Sequence, residues 1–292
     1  MADNFLVIKA HSNRGVARSD NGRLVGFHFP RSLQRPLPGD RVTLDDNDKL
    51  IRIHDRGNAF GRGDRHGRFR PLAANLDRLV VMIAPQPRPS PDLLHRYLVA
   101  AEIQKLRVVI VLNKVDLKVP DQAPFSELEA LASMGYPVVR VRCRPEIELA
   151  GLTGHLEQGI SLLAGQSGVG KSSLLNVLVP DLDVQTGELS RVTGKGTHTT
   201  TAATLHQLPS GGWLVDTPGV WEYGLWSMPT EELAAGFPEF AEPASRCRFR
   251  NCRHDREPGC AVREASESGQ LPAFRYQAWL RLLAEQQRLS RS

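Results

Sequence analysis

The chain has 292 residues, of which 41% are hydrophobic, 24% charged and 6% aromatic, with a net charge of +5 at pH 7. That length exceeds what one core usually holds, so two or three domains are expected, and the composition is that of a soluble globular protein. No apolar run approaches the roughly 18–20 residues of a membrane helix. Met1-Ala2-Asp3-Asn4 lacks the character of an export leader, so no membrane partner is expected and the cytoplasm is the expected location.

Charge is unevenly placed. Residues 1–75 carry 14 Lys and Arg against 8 Asp and Glu, leaving 23 against 24 for the remainder. The excess positive charge of the first quarter points to a polyanionic partner, or else to a solvated basic surface. Within that quarter, β-like runs at 5–10, 24–29, 41–44 and 50–54 are punctuated by turn formers such as Asp20-Asn21-Gly22 and Pro38-Gly39-Asp40. Short strands without helical period predict a small β-barrel, and an oligonucleotide-binding (OB) barrel is the natural basic candidate. Residues 56–71 then read as a flexible Gly/Arg arm, in which Arg62, Arg65, Arg68 and Arg70 are candidate RNA contacts.

From Leu79 onward strand and helix alternate. Strands are predicted at 79–84, 107–112, 138–142 and 160–164, with helices at 91–106, 125–134, 146–158 and 171–179, and hairpin-like strands follow at 203–208 and 213–215. Such alternation predicts a three-layer sheet with ligand loops at the C-terminal ends of its strands. The second strand runs into Asn113-Lys114-Val115-Asp116. In that pattern the Asp116 carboxylate suits the N–H groups of guanine, Asn113 would tie the base loop to a phosphate loop, and the Lys114 stem would cover the purine.

The fourth strand feeds Gly165-Gln166-Ser167-Gly168-Val169-Gly170-Lys171-Ser172-Ser173. Its glycines let the backbone turn N–H groups onto an anion. Lys171 would reach the β- and γ-phosphates, and the Ser172 hydroxyl would hold Mg²⁺. Asp216 ends an apolar strand and would hold Mg²⁺ through water, while the Gly219 N–H would meet the γ-phosphate. Val220 occupies the position where many GTPases carry the glutamine that orients water, so intrinsic hydrolysis should be slow. Between these motifs lies Gly194-Lys195-Gly196-Thr197-His198-Thr199-Thr200-Thr201, where a switch loop belongs. Thr199 or Thr200 would complete the Mg²⁺ shell. His198 is the candidate water-positioning, catalytic residue, the alternative being a surface histidine.

Beyond Val220 cysteine and arginine cluster. Cys247, Cys252, His254 and Cys260 supply three thiols and one imidazole, the donor set of a closed tetrahedral zinc site; three cysteines cannot all pair as disulfides. Arginines 246, 248, 250, 253 and 256 surround them and suggest a second nucleic-acid contact or a solvated loop. Cys143 stands outside the cluster and reads as a buried small residue. A final helix is predicted over 273–289, with Phe274, Trp279, Leu282 and Leu283 near one face.

The base reader precedes the phosphate loop, the reverse of the ordinary GTPase order, so the chain reads as a circularly permuted GTPase. With Gly194–Thr201, Asp216-Thr217-Pro218-Gly219-Val220, the cysteine module and Pro38-Gly39-Asp40-Arg41-Val42, it resembles the RsgA (YjeQ) family of small-subunit-dependent GTPases. The resemblance implies a multidomain chain: an OB-fold RNA-binding barrel over 1–70, a permuted α/β P-loop GTPase domain over 71–222 and a mainly helical zinc-binding domain over 223–292. It further implies one structural Zn²⁺, Mg²⁺ with GTP, and late maturation of the small (30S) ribosomal subunit through its 16S rRNA, by a monomer whose hydrolysis the particle stimulates. Relatives usually carry Ser-Ala where this chain has Arg142-Cys143, and their longer N-terminal RNA-binding tail is not expected here. The rival expectation is a nucleotide-gated RNA-binding scaffold with incidental turnover.

Overall fold

Alternation of apolar residues along the first 53 residues builds a sheet with one buried face. The computed structural model describes residues 4–149, 151–180, 203–217 and 223–290. Strands β1 (Asn4–His11), β2 (Arg14–Ser19), β3 (Leu24–His28), β4 (Arg41–Leu44) and β5 (Leu50–Ile53) form an antiparallel sheet in the order β3-β2-β1-β4-β5. A parallel bridge between His28 and Lys49 brings its two edges together. Phe5, Val7, Ala17, Val25, Phe27 and Val42 fill its interior. At the corner before β4, the Asp40 carboxylate is fully buried; it accepts from Nε and Nη2 of Arg56 and from the Leu37 N–H, each at 2.7 Å. Truncating one partner strands the other charge, so Asp40→Ala is expected to cost about 3 kcal/mol in a chemical denaturation measurement.

The Gly/Arg segment is not a loose arm. It forms a hairpin of β6 (Ala59–Gly63) and β7 (Phe69–Ala74). Tertiary contacts decide this. Phe60 stacks on Tyr223 at 5.7 Å between ring centroids, Phe69 meets Trp226 edge-on at 4.7 Å, and Gly63 N–H donates to Gly224 O at 2.9 Å. Here the glycines serve close approach: a Cβ on Gly63 would lie 2.5 Å from Leu225 O. Asp64 ties the turn by accepting from His66 N–H, Arg68 N–H and Arg70 Nε.

Strands β8 (Arg78–Ile83), β9 (Arg107–Leu112), β10 (Val138–Arg140), β11 (Ile160–Gly165), β12 (Thr204–Gln207) and β13 (Trp213–Asp216) make the second sheet, ordered β10-β9-β8-β11-β13-β12. All neighbours are parallel except β12 with β13. Its central strands are apolar on both faces, as a sheet covered by helices requires. Leu79, Val81 and Ile83 of β8 face α1 (Leu93–Ile103) and α2 (Leu128–Ser133), while Val80 and Met82 belong to the core under α3 (Leu152–Leu156) and α4 (Lys171–Leu178). The result is three layers, as the alternation predicts.

The C-terminal part is helical: α5 (Thr230–Ala235), α6 (Ala241–Ala244), α7 (Ala261–Glu267) and α8 (Ala273–Leu289). The long helix buries Arg275, Tyr276, Trp279, Leu282, Leu283 and Gln286, with Phe274 at the margin of that face. Its residues join the hydrophobic cluster that covers one face of the second sheet. A polar chain crosses the junction. The fully buried Arg275 guanidinium binds Glu239 and, at 3.1 Å, His95 Nδ1 on α1, and His95 Nε2 meets Glu127 at 3.1 Å. Because arginine only donates, His95 Nδ1 is the acceptor and Nε2 carries the proton.

Candidate functional site

The central strand β11 turns directly into the glycine-rich loop, flanked in the sheet by β8 and β13. Gly165, Gly168 and Gly170 adopt positive φ, and Gly170 immediately precedes α4. A Cβ on Gly170 would lie 2.2 Å from Asn113 Nδ2, so that position has room only for glycine. Asn113 comes from the end of β9, is almost wholly buried, and donates from Nδ2 to Val169 O at 2.8 Å. Lys114 Nζ donates to Gly168 O at 2.8 Å and to Gln86 O at 2.7 Å. The two sequence-distant segments are thus bonded to one another, as the motif reading requires. Asp116 is exposed at the end of its loop, and Val115 packs against the apolar cluster that covers the α1 face of the second sheet.

Lys171 opens α4 and lies almost buried; its Nζ donates to Gly165 O at 2.8 Å and to Gln166 O at 2.9 Å. Burial pushes its pKa down to about 8 against the opposing pull of Asp216. Burial likewise raises the Asp216 carboxyl, with Lys171 opposing. A buried ammonium and a carboxylate thus flank a loop followed by a helix N-terminus, a constellation suited to a polyphosphate with a divalent cation. Ser167, Ser172 and Ser173 are half-buried in the same turn, and the Thr217 hydroxyl donates to Leu163 O at 3.3 Å. His198, Thr199, Thr200, Gly219 and Val220 lie outside the described residues. Cys143 is buried as expected, which pushes its thiol up to about 11.

The second constellation gathers Cys247, Cys252, His254 and Cys260, whose ligand atoms all lie within 4.8 Å of one another. His254 Nδ1 stands 3.6 Å from Cys247 Sγ and 3.5 Å from Cys260 Sγ. Burial pushes the Cys252 thiol up to about 12, raises that of Cys260 and lowers the His254 imidazole pKa. Only a bound dication would make thiolates favourable there, and the spacing and donor set are compatible with zinc. Neighbouring groups fix the ligand loop. Trp279 Nε1 donates to Arg253 O at 3.2 Å, Tyr276 OH donates to His254 O at 3.1 Å, and the Glu257 carboxylate accepts three backbone N–H groups of that loop.

The chain matches the RsgA GTPase family over residues 53–226. It is 40% identical over 274 residues to the small ribosomal subunit biogenesis GTPase RsgA of Pseudomonas aeruginosa, covering 91% of this chain and 80% of that one. The chain belongs to the RsgA GTPase family. The Haemophilus influenzae protein of the same name is 36% identical over 288 residues, covering 95% and 83% respectively. Among solved structures, YjeQ from Thermotoga maritima superposes with a TM-score of 0.78 at 29% identity, covering 98% of this chain and 99% of that one. YloQ, described as a circularly permuted GTPase, gives 0.74 at 30% identity, covering 98% and 96%. This RsgA-family chain therefore has the circularly permuted GTPase fold: the phosphate-loop strand β11 lies at the centre of the sheet although it is fourth of its six strands in sequence.

Of the hairpin arginines in this RsgA-family chain, Arg62 is half-buried while Arg65, Arg68 and Arg70 are exposed; Arg70 pairs with Asp64 at 2.9 Å. Sequence reasoning missed Gln86, whose carbonyl receives Lys114, and Glu257, which organises the cysteine loop. Glu257 was findable as the lone acid among arginines after Asp255.

Proposed function

We propose that this chain hydrolyses GTP on the small (30S) ribosomal subunit and serves its late maturation. The observation that carries this reading is identity of 40% across most of the chain to a protein named as a small ribosomal subunit biogenesis GTPase. In this reading Asp116 reads guanine, Asn113 and Lys114 brace the base loop, and residues Gly165 to Ser173 with Gly219 cradle the phosphates. Magnesium would be held by Ser172, a switch threonine (Thr199 or Thr200) and, through water, Asp216, and would neutralise phosphate charge. His198 would position the attacking water. The first 70 residues act as an OB-type rRNA-binding barrel, a reading supported by the bridge that joins its edge strands. Residues 71–222 form the GTPase unit and 223–292 a module organised by one structural zinc. The protein works as a cytoplasmic monomer.

Turnover measured with and without purified 30S subunits tests the proposal. Acceleration of at least tenfold by 30S and none by 50S is expected; no acceleration would favour the nucleotide-gated scaffold. His198→Ala is expected to retain GTP binding and lose the acceleration, and normal stimulated turnover would remove His198 from the mechanism. Lys171 gives a pH signature. Its charged form binds phosphate, and its folded-state pKa is about 8. Below that value the charge is already present, so GDP affinity stays flat from pH 6.5 to 7.5. Above it, binding must also take up a proton, and affinity falls toward tenfold per pH unit by pH 9. Calorimetry in buffers of different ionisation heat measures that uptake.

A further inference from the structure

An open cleft of about 490 Å³ lies between the N-terminal sheet and the end of the second sheet remote from the phosphate loop. Its walls include Arg41 of β4, Asp77 ahead of β8, Glu157 and Gln158 ahead of β11, and Trp213 at the start of β13. The volume falls within the range of small-ligand sites and suits one nucleotide. Its chemistry is that of a base receptor. Trp213 is half-buried at the rim, and the Arg18 guanidinium braces its ring at 5.3 Å from the centroid. Arg41 is exposed, with an exposed Asp20 as its ion-pair partner at 3.1 Å. Such surface pairs are worth little, so a phosphate can displace the carboxylate. Glu157 and Gln158 are exposed and offer acceptors and donors to a base edge. The floor is already fixed: Ile160 N–H donates to Asp77 Oδ2 at 2.7 Å and Trp213 N–H to Gly159 O at 2.9 Å.

We propose that this cleft receives one unpaired nucleotide of single-stranded RNA, its base stacked on Trp213 and its phosphate on Arg41. The proposal rests on the rRNA-binding reading above and adds a site to it, separate from the guanine-nucleotide pocket. A base is favoured over a peptide because the wall combines an arginine-braced indole with an exposed guanidinium at the mouth, held only by the surface carboxylate of Asp20.

The test uses the full chain saturated with GDP, which keeps the phosphate loop filled. Tryptophan fluorescence is followed during titration with a five-nucleotide single-stranded oligoadenylate, with a blunt RNA duplex and with AMP. The oligonucleotide is expected to quench the emission and bind at least tenfold more tightly than either control. In the variants affinity is read by the anisotropy of a 5′-fluorescein-labelled oligonucleotide, which keeps its signal without the indole: Trp213→Ala should weaken binding fivefold or more, Trp213→Phe should restore most of the affinity, and Arg41→Ala should weaken it and flatten its salt dependence. Wild-type oligonucleotide affinity in both alanine variants would overturn the proposal, as would AMP binding as tightly as the oligonucleotide, which would mark a free-nucleotide site. Subunit-stimulated turnover with no oligonucleotide binding sinks this site alone. Oligonucleotide binding without stimulation leaves the site standing and removes the ribosomal reading.

Discussion

Lys171→Ala is expected to lower GDP and GTP affinity by about 100- to 1,000-fold, equivalent to about 3–4 kcal/mol. The side chain is held almost out of solvent between the carbonyls of Gly165 and Gln166, so its charge is desolvated before any nucleotide arrives. That cost shows in the pKa, which burial lowers to about 8. A lowered lysine pKa means that the folded chain disfavours the charge relative to the unfolded chain. At neutral pH the ammonium therefore opposes folding, and its removal should leave stability unchanged or slightly raised. Affinity and stability are thus expected to move apart. Calorimetric titration with GDP measures the first and thermal unfolding of the nucleotide-free protein the second. Wild-type affinity would remove Lys171 from the phosphate site, whereas a large fall in melting temperature would show that the ammonium is structural.

Removing the metal from the cysteine cluster is expected to destabilise the C-terminal helices by several kcal/mol. Purified protein should carry one zinc per chain by atomic absorption, and Cys252→Ser or prolonged chelation should release it. The effect should extend beyond the ligands. His254 packs tilted on Trp279 and edge-on to Phe240, each at 6.0 Å, and Trp279 meets Phe237 edge-on at 5.5 Å. Loosening the ligand loop therefore loosens the aromatic packing behind it, which near-ultraviolet circular dichroism reports. A Cys252→Ser chain that keeps a full equivalent of zinc and the wild-type melting temperature would show that the cluster is not a metal site.

What could be read from sequence follows how the chemistry is written there. The glycine-rich loop at 165–173 and Asn113-Lys114-Val115-Asp116 need particular residue types at fixed spacing, and the structure brings the two segments together through the bond from Asn113 to Val169. Strands β8, β9 and β11 were legible because sheet interiors demand continuous apolar runs, and α8 begins and ends where its pattern does. The helix expected over 146–158 shrinks to Leu152–Leu156, where two leucines face the core. Strand β2 offers only Val16 and Ala17 as apolar signals, so its existence depends on pairing with β1 and β3. The hairpin of β6 and β7 was misread because its order comes from Tyr223 and Trp226, far along the chain. Buried Arg275 and His95 were invisible for a related reason: charged residues on helices ordinarily face water, and only the assembled junction supplies their partners.

The seam between α1 and α8 sets how the second sheet and the C-terminal helices can move relative to one another. Leu98 and Val99 on one side and Trp279, Leu282 and Leu283 on the other belong to one continuous apolar cluster, and Arg96–Glu285 and Arg281–Asp92 stitch its rim at 2.6 and 2.7 Å. Parts so joined cannot pivot as two bodies on a pliant tether without exposing that interior to water. Their permitted movement is shear, with packed helices sliding past one another by about 1–2 Å, and Tyr223, wedged between Phe60 and Tyr97, is a tooth in that seam. The sheet that carries the glycine-rich loop and the helices beside the cysteine cluster therefore behave as a single stiff gear.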